Sequence, residues 1–194
     1  MDQFIYTNKN SISKELCEDI IELYNENLHL TYKGRIQKGY DPEVKDFLDF
    51  LIDKYIDSNP KWKKIHDILI KELYDNLKNY SININNNILK IVHPNSVVRI
   101  GTAQIQKYEK NKGKYIYHND SQILYEQKEH RILTFLWYLN DVEEGGETEI
   151  LGTIKIKPET GKILLFPADW TFPHCGKMPI SNDKYIITGW VYTN

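Results

Sequence analysis

Apolar residues recur at helical spacing through much of residues 1–80 and alternate with polar ones from Arg99 onward. Phe4-Ile5-Tyr6 is a short strand candidate. Ser13 with Glu15 gives the cap and first turn of a helix, and Leu16, Ile20, Leu23 and Tyr24 form its stripe. Cys17 lies beside that stripe as a small buried hydrophobe. Asp41-Pro42 is a start signal for a second helix, with Val44, Phe47, Leu48, Leu51, Ile52 and Tyr55 at helical spacing. Asn59-Pro60 repeats the signal for a third, whose core face is Ile65, Leu69, Leu73 and Leu77. These stripes are packing and carry no chemistry.

Residues 81–98 change character, with Asn83, Asn85, Asn86, Asn87, Pro94 and Asn95. They read as turn and loop with a short strand at Ile88–Val92, and are a candidate lid over a substrate. From Arg99 the pattern is β. The candidate strands are Arg99–Tyr108, Lys114–His118, Arg131–Leu139, Glu147–Leu151, Thr153–Ile156, Lys162–Phe166, Phe172–Cys175 and Lys184–Tyr192. Lys112-Gly113, Glu144-Gly145-Gly146, Gly152 and Pro158 to Gly161 separate them. Many short strands at this spacing make a sandwich or barrel, and helices followed by strands make an α+β fold. At 194 residues the chain fits one domain, divided into helical support (1–80), lid (81–98) and β core (99–194).

Composition narrows the classes. A formal net charge of −2 disfavours nucleic acid as a partner. No apolar run is long enough to span a bilayer, and no basic segment followed by an apolar one opens the chain as a secretory leader would. Two cysteines, Cys17 and Cys175, make no disulfide framework and suit a reducing compartment, which places the protein in the cytoplasm. The wealth of Asn, Ile and Lys points to an AT-rich genome, such as that of a virus acting in its host cell.

Candidate chemistry centres on Lys114-Tyr115-Ile116-Tyr117-His118-Asn119-Asp120. Strict alternation would send Tyr115 and Tyr117 one way and Ile116, His118 and Asp120 the other. An imidazole and a carboxylate two apart can hold one side of a metal ion, and His174 is the best third ligand. Two histidines and one carboxylate with open positions are the site of non-haem Fe(II) oxygenases. Zn²⁺ in a hydrolase also suits these ligands, but no positioned general base accompanies them. Lys184 opens the last strand and shares a face with Ile186, Thr188 and Trp190, while Thr134, Leu136 and Tyr138 share a face of another. With both faces inward, a buried Lys needs an anionic partner, and a small dicarboxylate reaching the metal would supply it. Singly, each histidine defaults to structure; His29, His66, His93 and His130 keep that reading. The acidic run Asp141, Glu143, Glu144, Glu147 and Glu149 reads as a solvated rim.

These motifs resemble the prolyl 4-hydroxylase-like branch of the Fe(II)/2-oxoglutarate dioxygenases. The resemblance covers Tyr108; His118-Asn119-Asp120; Arg131 through Asp141; Gly145-Gly146-Glu147-Thr148; Gly161 through Pro167; His174-Cys175-Gly176; and Lys184-Tyr185 through Trp190. It implies a double-stranded β-helix, or jelly-roll, core with the N-terminal helices packed against it. It implies that His118, Asp120 and His174 bind Fe(II), and that Lys184, Tyr108, Thr134 and Tyr138 hold 2-oxoglutarate. Arg131 and Trp190 match positions near the substrate mouth. The implied reaction consumes O₂, decarboxylates 2-oxoglutarate to succinate and CO₂, and hydroxylates a peptide or protein at proline; ascorbate is a candidate reductant for the iron. Lys ten residues after the distal His follows the collagen-type and algal-type members. The same chemistry on another side chain or on a free amino acid stands as the alternative, with an inert cupin-like binding barrel as the alternative of another class. A nucleic-acid demethylase would need basic residues around the mouth.

Overall fold

The protein is described by a computed structural model covering residues 2–36, 39–84 and 98–193. The candidate lid falls, from 85 to 97, outside the described residues, as do the Ile88–Val92 strand and His93.

The elements run β1 (Tyr6–Asn8), α1 (Lys14–Glu26), β2 (Tyr32–Lys33), β3 (Lys45–Asp46), β4 (Leu48–Leu51), α2 (Pro60–Asn83), β5 (Arg99–Ile100), β6 (Gln104–Tyr108), β7 (Lys114–His118), β8 (Ile123–Leu124), β9 (Glu129–Tyr138), β10 (Thr148–Ile150), β11 (Ile154–Ile156), β12 (Ile163–Pro167), β13 (His174–Gly176) and β14 (Lys184–Thr193). A larger antiparallel sheet has the order β1-β12-β9-β14-β6-β4-β2, with β5 beside β14 and β8 beside β9. It faces a smaller one, β11-β10-β13-β7-β3. The two form a jelly-roll barrel, with the helices on the outer face of the larger sheet.

Alternation along β9 and β14 builds both sides of that sheet. Leu133, Phe135, Trp137, Leu139, Ile187 and Val191 pack toward α1 and α2, where they meet Ile20, Tyr24, Trp62 and Leu69. Leu136, Tyr138 and Ile186 turn inward and join Tyr108, Leu164 and Phe166 between the sheets. Buried hydrogen bonds fix the helical layer. Trp137 and Asn76 both donate to Ser11 Oγ, at 2.8 and 2.9 Å, and Tyr80 donates to the Phe4 carbonyl.

The first and third helices form where the caps place them. Ser13 Oγ accepts from the Leu16 amide, and Asn59 Oδ1 accepts from Lys61 and Trp62. The second expected helix does not form. Asp41 caps a single turn, its carbonyl accepting from Val44 and Lys45, and the chain then runs as β3, β4 and a 3₁₀ turn at Ile52–Tyr55. Tertiary partners override the helical spacing here: β4 pairs with β6 on one side and β2 on the other. Fully buried Phe50 packs on the rings of Tyr24, Tyr55 and Trp62. Residues 1–80 therefore add four strands to the sheets as well as two helices.

Arg99–Tyr108 is two strands rather than one. Both pair with β14, but the Ala103 N–H donates to Asp53 Oδ1 and its carbonyl accepts from the Ile52 N–H, so the ladder is interrupted there. Among the described residues no helix is long and apolar enough to cross a membrane.

Candidate metal centre

His118 ends β7 and faces His174 directly across the β7–β13 pair. Between the Tyr115–Gly176 and His118–His174 pairs, β7 spends three residues and β13 two. This bulge overturns the strict alternation expected along the strand. Tyr115 and His118 both turn inward, where their rings stack at 3.5 Å between centroids. Ile116 and Tyr117 are exposed, and Tyr117 donates to Glu149 on the outer face.

Asp120 follows in the loop beyond β7, where the Asn119 side chain accepts from the Ser121 amide. Its Oδ1 lies 3.6 Å from His118 Nε2 and its Oδ2 lies 3.5 Å from His174 Nε2. One ligand atom from each of the three residues falls within 4.8 Å of the others. Each histidine places Nδ1 against the carbonyl two residues before it: His118 on Ile116 at 2.8 Å, and His174 on Phe172 at 3.1 Å. A carbonyl only accepts, so Nδ1 carries the proton and Nε2 offers its lone pair to the common point. Burial, and then the neighbouring His174, push His118 down to about 4. Burial raises the Asp120 carboxyl, but His174, His118 and the Thr134 hydroxyl outweigh it and leave it below the ordinary range. Two imidazoles that each present Nε2, with a carboxylate beside them, are a donor set that fits Fe(II).

The triad opens on a cavity of about 760 Å³. At its inner end Lys184, 1% exposed, donates to the Gly146 carbonyl at 2.9 Å and sits 4.0 Å above the Tyr108 ring. Gly145 and Gly146 both have positive φ, which lets this tight turn aim that carbonyl inward. Burial brings the ammonium down to about 7, with Glu147 opposing. Leu136, Phe166 and Ile186 supply apolar walls.

The remaining site residues divide. Tyr108 lines the cavity and donates to Gln106 Oε1. Thr134 lines it too, but its hydroxyl donates to Asp120 Oδ2 at 2.7 Å. Tyr138, fully buried, donates to Thr148, and it is Thr148 that faces the cavity. Arg131 stacks on Trp190, 3.5 Å from guanidinium carbon to ring centroid, and donates to Tyr192 and to the Asp120 carbonyl. The Trp190 N–H is buried without a hydrogen bond within 3.5 Å and faces the Asp120 carboxylate. Sequence reasoning did not single out Tyr115, Gln106, Thr148 or Lys45. Thr148 closes the Gly-Gly-Glu-Thr turn and was within reach. Lys45 belongs to the segment read as helix, and nothing local marks it.

Residues 103–192 match the family model described as the 2OG-Fe(II) oxygenase superfamily, a span that holds all three ligands and Lys184. That span is just under half of the chain, and over it the chain is similar to that superfamily. The His118, Asp120 and His174 cluster inside that span gives the chemistry of an Fe(II)- and 2-oxoglutarate-dependent dioxygenase. No curated protein sequence matches the chain. Among solved structures it is similar to the viral collagen prolyl hydroxylase of Paramecium bursaria Chlorella virus-1 in its 2OG complex, with a TM-score of 0.69 and 20% identity over 97% of this chain and 96% of that one. A Trichoplax adhaerens prolyl hydroxylase in complex with a hypoxia inducible factor peptide gives 0.69 and 17%, covering 97% and 83%. A Pseudomonas putida prolyl-4-hydroxylase gives 0.63 and 12%, covering 96% and 91%. At these identities the likeness is one of fold.

Proposed function

We propose that this chain works as a single catalytic domain that hydroxylates peptidyl proline. The observation that carries the reading is the extent of the likeness. The similar structures named as prolyl hydroxylases match 96–97% of the chain, so the shared part includes the β2–β4 wall as well as the barrel.

His118, Asp120 and His174 would hold Fe(II). With 2-oxoglutarate and O₂, that centre supplies the oxidising power that yields succinate, CO₂ and a hydroxylated substrate C–H. The chain's residues do the rest. Lys184 pairs with the distal carboxylate of 2-oxoglutarate, a charge-assisted contact at the bottom of the cavity. Tyr108 closes the pocket beside it. Tyr138 holds the Thr148 hydroxyl in place, and Thr134 fixes the plane of the Asp120 carboxylate. Leu136, Phe166 and Ile186 keep water from the reacting end. Arg131 and Trp190 shape the mouth where a prolyl ring would enter. Ascorbate is the reductant proposed to keep the iron ferrous. The two buried free cysteines support a reducing compartment such as the cytoplasm, in which a virus-encoded enzyme would also work.

The test is anaerobic loading with Fe(II) and 2-oxoglutarate, followed by air with and without proline-rich peptides. Peptide-stimulated succinate, with a mass gain of one oxygen on proline, is expected. Succinate with the oxygen on another side chain or on a free amino acid would keep the chemistry and overturn the prolyl assignment.

A further inference from the structure

Lys45 is a cation inside the catalytic cavity that neither the metal nor the co-substrate explains. β3 is the edge strand of the smaller sheet, and Lys45 pairs with Tyr115 of β7. Directly paired residues share a face, so Lys45 stands on the inner face with Tyr115 and His118, one strand spacing of about 4.8 Å from the strand that ends in His118. Its Nζ sits 4.8 Å from the Phe47 ring centroid and 5.1 Å from that of Tyr115. Its stem crosses Gly34, where an added Cβ would stand 3.0 Å from Lys45 Cε. The side chain is thereby held along the cavity wall.

Its polar contacts are thin. Its one hydrogen bond among the described residues, to the Arg35 carbonyl, is 3.5 Å long. Among the described residues no carboxylate oxygen lies within 4.0 Å of its Nζ, whereas nearby Lys114 and Lys107 reach Glu43 and Asp183 at 2.9 and 3.0 Å. The cavity is lined by Arg35, Lys45, Arg131 and Lys184 against Asp41 and Asp120. Asp120 and the two carboxylates of 2-oxoglutarate together balance a bound dication and Lys184. Arg131 is occupied by Trp190, Tyr192 and the Asp120 carbonyl. Lys45 remains. A half-buried ammonium that has lost part of its hydration is best compensated by an anion.

We propose that Lys45 receives a carboxylate of the substrate, so that the enzyme selects prolyl peptides with Asp or Glu within a residue or two of the hydroxylated ring. This rests on the prolyl reading above. A lysine that merely packs on Phe47 and Tyr115 would show no such selectivity.

The experiment compares matched proline peptides carrying Asp or Glu, their isosteric Asn or Gln, or Lys at the flanking positions, with free proline as a separate arm. The wild-type enzyme is expected to prefer the acidic peptide over its amide by about tenfold in kcat/KM, and salt should erode the preference. Lys45→Met, which keeps the stem, should bring the acid-to-amide ratio to about one. Lys45→Glu should turn the preference toward the Lys peptide. Equal use of acid and amide peptides by the wild-type enzyme, which needs no variant to fold, would overturn the role of Lys45 and leave the prolyl reading standing. So would a Lys45→Met enzyme that keeps the wild-type ratio. Free proline outcompeting every peptide would move the carboxylate to the substrate's own terminus and overturn the peptide form. Succinate release with no proline hydroxylated in any arm would sink the prolyl reading and this proposal with it.

Discussion

At the scale of single residues, the Thr134 hydroxyl is committed to Asp120 and the Lys184 ammonium to the Gly146 carbonyl. His118, Asp120 and His174 were legible as a cluster, and Lys184 as a buried cation, because few other roles suit those types in that order. Thr134 and Tyr138 were legible as inward-facing, but not as to what each hydroxyl touches. The 2.7 Å bond from Thr134 to Asp120 makes a separable prediction. Thr134→Val should weaken metal affinity by about tenfold, the lower end for losing a partner of a ligand. The 2-oxoglutarate KM at saturating iron should move little. Anaerobic metal titration reads the first and succinate kinetics the second; a raised KM with intact metal affinity would return Thr134 to the co-substrate. Lys184 makes another. Burial brings its free ammonium down to about 7, and a bound carboxylate favours the charged form. Above pH 7, 2-oxoglutarate binding should therefore take up a proton, and its affinity should fall as pH rises further. Calorimetry in buffers of different ionisation enthalpy measures the uptake; none at pH 8 would remove the pairing.

At the scale of elements, legibility followed the range of the interactions. α2 was readable because its cap, its opening proline and its stripe are all local. Its cap should be correspondingly independent: Asn59→Ala is expected to cost about 1 kcal/mol in urea unfolding with activity retained. A stability equal to wild type would mean that packing of Trp62 and Ile65 alone fixes the helix start. β4 was misread because Val44 to Tyr55 also fits a helix, and what decides is the waiting edge of β6, distant in sequence. The bulge in β7 escaped for the same reason. Nothing in Lys114–His118 announces an extra residue, since it exists only relative to β13. That bulge turns both Tyr115 and His118 inward, so the misjudged detail is one that shapes the site. The motifs pointed to residues that gather at one cavity, and the pairing of strands decides which surfaces surround them.

At the scale of the molecule, the site is a junction. The smaller sheet brings His118 and His174, and the larger brings Thr134 and Lys184. Ligands that bridge them should therefore hold the barrel closed, which unfolding can read without turnover. A metal at a hundredfold excess over its Kd contributes about 2.7 kcal/mol, or about 5–10 °C in Tm for a chain of this length. A redox-inert divalent ion such as Zn²⁺ should give this rise, and a chelator should reverse it. 2-Oxoglutarate should add a second increment that depends largely on the metal, because one end of the dicarboxylate needs it. The variants separate the two ends. His174→Ala should lose the metal increment and most of the second, while Lys184→Ala should keep the first and lose the second. A 2-oxoglutarate increment of full size in His174→Ala would mean that the dicarboxylate is held by Lys184 alone and the two sheets are not bridged through the metal.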